Sequence, residues 1–209
     1  MTRPFNDTTR RNIADLCAAF ARTEPAGASP ELKRAAVAIS LTGADKAGET
    51  AFLLTRRASG LRAHRAQWAL PGGRCDAGET SVATALRELH EELGLKLGAD
   101  DVLGELDDYP TRSGYLITPV VLWAGRGAVI SPSPDEVASA HRIALADIER
   151  ADAFDFVTIP ESTRRVIRLH LAGQFIHAPT AALIYQFGEV LAGRMTRVAE
   201  VEQPVFAWK

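Results

Sequence analysis

The chain has 209 residues, 46% of them hydrophobic, and a formal net charge of −2, which is enough apolar content for a full core. A pI near 6.2 gives no electrostatic footprint for duplex nucleic acid. Two cysteines, Cys17 and Cys75, are too few for a disulfide framework and fit a reducing compartment.

In chain order, residues 8–22 show an amphipathic helical pattern, and the Pro/Gly/Ser-rich stretch 23–31 reads as a linker into the main domain. The expected organisation is an N-terminal helix and linker over 1–30 and one domain over 31–209. The apolar run 16–21 is too short for a membrane span and is bracketed by Asp15 and Arg22, so a cytoplasmic location without membrane contact is expected. Strand patterns follow at 34–42, 51–56 and 67–71, then a helix, then further strand patterns at 102–109, 115–125 and 137–145. The tail carries two helical patterns, 160–173 and 180–194, and a short extended end at 204–209. Strands surrounding a central helix, with helices added at both ends, predict an α/β class and an α/β/α sandwich around a mixed β-sheet.

The segment from Gly73 to Leu95 decides the chemistry. In a helix advancing about 100° per residue, Glu88, Glu91 and Glu92 share one stripe, while Val82, Ala85, Leu86, Leu89 and Leu93 form another that can pack on a sheet. Three carboxylates on one stripe repel each other unless cations join them, and a hard ion such as Mg2+ takes oxygen ligands while leaving sites for phosphate. Arg87, four residues before Glu91 and eight after Glu79, is placed to orient a carboxylate. Gly72 and Gly73 leave a loop without side-chain bulk whose backbone can approach metal or phosphate, and Gly94 stops the helix. A Glu/Arg-rich helix is usually only a solvated face, but here every fixed position fits one pattern. The segment resembles the Nudix box, G-x5-E-x7-R-E-U-x-E-E-x-G-U with U apolar, without a departure. That resemblance implies the Nudix fold and hydrolysis of a nucleoside diphosphate linked to another moiety, with Mg2+ or Mn2+ as cofactor.

Upstream, residues 53–73 resemble the additional motif of coenzyme A diphosphatases, L-L-T-x-R-[SA]-x3-R-x3-G-x3-F-P-G-G, with Ala66 replacing the glycine and Leu70 the phenylalanine. Arg56, Arg57, Arg62, His64 and Arg65 concentrate positive charge just before the box. Arginine binds phosphate in bidentate fashion, so Arg57, Arg62, His64, Arg65, Gly72 and Gly73 are the candidate substrate-binding set. An acid from outside the box is sought at Glu136. The candidate metal set is Gly73, Glu88, Glu91, Glu92 and Glu136, with Glu88 or Glu136 as base. His90 occupies a variable box position and is expected at the surface. CoA or acyl-CoA is the leading substrate; an ADP-ribose or NADH pyrophosphatase and a non-catalytic nucleotide sensor are the alternatives. The partner is a small-molecule nucleoside diphosphate, not nucleic acid, and a homodimer is left open.

Overall fold

The computed structural model describes residues 3–23, 31–45, 48–58, 67–125 and 127–204. Its centre is a mixed sheet built on two long apolar strands, β1 (Lys33–Gly43) and β7 (Tyr115–Trp123), which run parallel from Lys33↔Tyr115 to Leu41↔Trp123. Antiparallel partners extend it: β2 (Thr50–Arg57) and β4 (Gly72–Arg74) on β1, β5 (Val102–Glu105) and β6 (Tyr109–Pro110) on β7, and β3 (Trp68–Ala69) and β8 (Val137–Ala144) on β2.

Side chains that alternate along these strands feed two cores, as a sheet covered on both faces requires. On one face Ala36, Ala38, Leu53, Val120 and Leu122 pack with Ala85, Leu89 and Leu93 of α2 (Ser81–Leu93). On the other face Ile39, Leu41, Phe52, Leu54 and Val121 join Ile13, Cys17 and Phe20 from α1 (Asp7–Ala19) and its C-terminal end. The short α3 (Leu145–Ile148) and α4 (Thr180–Leu191) contribute Ile148, Leu183 and Phe187 to this second core. The expected sandwich with added terminal helices is therefore present. The apolar stripe of α2 is the one its periodicity predicts.

The tail departs from expectation at one place. Residues 160–173 are not helical: β9 (Phe154–Ile159), β10 (Ser162–Leu171) and β11 (Gln174–His177) make a separate three-stranded antiparallel sheet. The register Leu171↔Gln174 leaves Ala172 and Gly173 as a two-residue turn, with φ of 50° and 73°. Positive φ at both positions is what matches the twist of a tight hairpin. Gly173 therefore turns a hairpin rather than ending a helix, and Ile167 and Leu169 face the core at strand period. The second tail helix is present as α4.

Candidate active site

The approach to α2 is organised by short-range chemistry. Thr80 caps the helix by accepting from the Ala83 amide at 3.1 Å. Gly94 ends it in a left-handed conformation, its amide donating to the His90 carbonyl at 2.8 Å. Just before the cap, Glu79 accepts from the Asp76 amide at 2.9 Å and from the Thr84 hydroxyl at 2.8 Å.

Arg87 is the hub. Its Nε and Nη2 each donate at 3.0 Å to the two oxygens of Glu79, a planar two-point grip. Nη1 reaches Glu88 Oε1 at 2.9 Å and Glu91 Oε2 at 3.0 Å, and Nη2 also donates to the Arg74 carbonyl at 3.0 Å. Arg87 thus contacts three carboxylates and the backbone of the preceding loop, where the sequence pattern suggested one. The Arg87 hydrogen bond holds the Glu79 carboxyl well below the usual carboxylate range, at about 2.

The acids of the stripe sit in graded environments. The Glu91 side chain is 51% exposed, Glu88 is half-buried, and Glu92 is buried. Burial raises the Glu88 pKa against the opposing pull of Arg87, and Glu91 and Glu136 add repulsion. Burial likewise pushes Glu92 up to about 8, with Arg57 opposing and Glu88 and Glu136 reinforcing. The Arg57 guanidinium lies 3.8 Å from the Glu92 carboxylate.

The loop carrying Glu136 before β8 is pinned to the end of α2, close enough for its charge to act on Glu88 and Glu92. The Ser131 and Ser133 amides donate to the Leu93 and Glu92 carbonyls, each at 2.9 Å, satisfying acceptors that a helix terminus leaves open. Val137 pairs with Arg57, and the Ala58 amide donates to the Glu136 carbonyl at 2.9 Å.

Gly73 lies against Glu88 so closely that a β-carbon there would stand 2.1 Å from Glu88 Oε1, so any side chain at this position would push the Glu88 carboxylate aside. Among the described residues no three carboxylates close on one point as a preformed cage; Arg87 spaces Glu88 and Glu91, and Glu92 faces Arg57. His90 is at the surface as expected. His141 accepts or donates at 2.8 Å with Ser139 and packs edge-on against Trp68. Arg62, His64 and Arg65 lie outside the described residues.

A cleft of about 750 Å3 borders Gly72, Gly73, Arg56, Arg57 and Arg74. Leu70, named in the upstream motif, also lines it, together with residues that the sequence reading did not single out, among them Trp68, Gln174, Phe175 and Leu183. Arg56 stacks over the Trp68 ring at 5.3 Å, and Arg74 over Tyr115 at 5.2 Å. Gln174 and Phe175 were hidden by the misread hairpin, and Arg74 by its variable position in the box.

The family model described as the NUDIX domain matches residues 32–161. The chain belongs to the Nudix family. An uncharacterized Nudix hydrolase NudL of Yersinia enterocolitica is 30% identical over 194 residues, covering 90% of this chain and 98% of that one. Its namesake in Photorhabdus laumondii is 33% identical, covering 66% of this chain and 75% of its own. Among solved structures, a MutT/nudix family protein from Enterococcus faecalis shares the fold with a TM-score of 0.55 at 18% identity, covering 83% of this chain and 67% of that one. The protein is thus a Nudix hydrolase, and α2 with its preceding loop is its Nudix box. No helix among the described residues is long and apolar enough to cross a membrane.

Proposed function

We propose that this Nudix hydrolase is a metal-dependent cytoplasmic diphosphatase acting on CoA or acyl-CoA, releasing adenosine 3′,5′-bisphosphate and the corresponding 4′-phosphopantetheine. One observation carries the reading: Gly72, Gly73 and Arg57 belong at once to the acid cluster and to the wall of the large cleft. A diphosphate in that cleft would meet the box acids, and the upstream motif that resembles the CoA diphosphatases runs directly into the same residues.

The donors, all carboxylate or carbonyl oxygen, suit a hard divalent cation that would draw the acids together on binding. Glu88 and Glu92 are destabilised as anions by burial, and Glu136 worsens this, so a hard ion with oxygen ligands offsets the strain. Glu88, Glu91, Glu92, Glu136 and the Gly73 backbone would hold Mg2+ or Mn2+. Such an ion supplies charge neutralisation for the diphosphate and acidifies water. The protein's own share is positional. Arg87 fixes Glu88 and Glu91, and through Arg74 it fixes the glycine loop. Arg57 offsets the charge of Glu92 at the cleft edge. Glu88, gripped through Oε1, would accept a proton from attacking water at Oε2, and Glu136 is the other candidate for that task. The test is a panel of CoA, dephospho-CoA, ADP-ribose and NADH compared by kcat/KM with Mg2+ or Mn2+. CoA ranking first supports the proposal, and ADP-ribose or NADH ranking first overturns it.

A further inference from the structure

The Nudix domain match ends at residue 161, yet part of the cleft wall lies beyond it. Gln174, Phe175 and Ile176 of β11, Pro179 at the start of α4, and Leu183 within that helix all line the cavity. This second wall is fastened to the catalytic loop. Trp68 Nε1 donates to Gln174 Oε1 at 2.9 Å, and the Thr180 hydroxyl donates to the Trp68 carbonyl at 3.3 Å. Trp68 is only three residues ahead of Pro71, whose carbonyl accepts from the Ala38 amide at 2.7 Å. The hairpin and the glycine loop are therefore set relative to one another through β3.

The two walls differ in chemistry. Near the box stand Arg56, Arg57 and Arg74, which suit phosphate. The C-terminal wall carries Phe175, Ile176, Pro179 and Leu183 beside Gln174, His177 and Thr180, and the Phe175 ring, 54% exposed, lies under the Arg168 guanidinium at 4.7 Å and edge-on to His170 at 4.9 Å. The side-chain Oε1 of Gln174 already accepts from Trp68 Nε1. The aliphatic part of this wall, Ile176, Pro179 and Leu183, gains by covering an apolar group.

We propose that the β10–β11 hairpin, through Phe175 and its aliphatic neighbours, receives the uncharged arm of the substrate and sets the acyl-chain preference. This rests on the CoA reading above. With the diphosphate at the box, the charged nucleotide stays with the arginines and the thioester end extends along the C-terminal wall.

The experiment compares CoA, butyryl-CoA and octanoyl-CoA on the full chain and on Phe175→Ala and Phe175→Leu. Phe175 is exposed, so its truncation leaves the core intact. The expected readout is a fall on the order of tenfold in the ratio of kcat/KM for octanoyl-CoA to that for CoA in Phe175→Ala. The change should appear mainly in KM, and Phe175→Leu should restore most of the ratio. Equal losses across the three substrates, with weaker inhibition by adenosine 3′,5′-bisphosphate, would show the wall stacking adenine and overturn the inference alone. An unaltered enzyme that leaves all three substrates intact would overturn the CoA reading and this inference with it.

Discussion

Replacing Arg87 with lysine is the perturbation that separates an orienting arginine from a merely cationic one. Arg87 makes two parallel bonds to Glu79, one each to Glu88 and Glu91, and one to the Arg74 carbonyl. A lysine ammonium keeps the charge but projects from a single point. It cannot grip both Glu79 oxygens in a plane while also reaching Glu88. At least two charge-assisted bonds are lost, each worth about 1.5–3 kcal/mol when well shielded. The Arg87 side chain is 29% exposed and Glu79 15%, so the lower end applies, giving a total of about 3 kcal/mol. If that loss falls on the placement of Glu88 and Glu91, kcat/KM drops by about a hundredfold. The assay is steady-state hydrolysis of CoA at saturating Mg2+, beside denaturant unfolding of the same samples. Glu79→Gln and the double variant complete a cycle, in which the double loss should fall well short of the sum because the two residues act as one unit. Kinetics within threefold of wild type for Arg87→Lys, or fully additive losses, would refute the positioning role.

Glu79 also makes a pH prediction. Its folded pKa is depressed to about 2 by the Arg87 hydrogen bond, so its stabilisation is present above the ordinary value of 4.5 and is lost as pH falls toward 2. The Tm difference between wild type and Glu79→Gln should shrink steadily between those limits, and a constant difference would contradict the ion pair. Gly73→Ala should fold with a stability change under about 1 kcal/mol, because the clash at 2.1 Å is with the movable end of Glu88. The displaced carboxylate should nevertheless cost at least about tenfold in kcat, and unaltered kcat would remove Gly73 from the site. Arg57→Ala should weaken CoA and dephospho-CoA alike, since Arg57 faces Glu92; a loss confined to CoA would place Arg57 at the 3′-phosphate instead.

The box was legible because its chemistry is local. Glu79, Arg87, Glu88, Glu91 and Glu92 lie on one helix and the residue before its cap, so their spacing encodes their geometry. The apolar stripe of Ala85, Leu89 and Leu93 was legible for the same reason. Glu136 could be named only as a loop acid; its approach to Glu88 and Glu92 depends on backbone bonds from Ser131 and Ser133 to the helix end. The cleft was not legible, because Trp68 and Gln174 meet across 106 residues of sequence. The hairpin was misread because Val166, Ile167 and Leu169 suit a helix face as well as a strand. The Ala172-Gly173 pair, which closes the hairpin turn, falls at the end of the 160–173 helical pattern.

The most direct test of the central claim is the mass of the products after CoA is incubated with Mg2+ and either the wild-type chain or Glu92→Gln. Adenosine 3′,5′-bisphosphate and 4′-phosphopantetheine are expected from the wild type, and intact CoA from the variant. Intact CoA with the wild type, or the same two products at the same rate from Glu92→Gln, would contradict that claim.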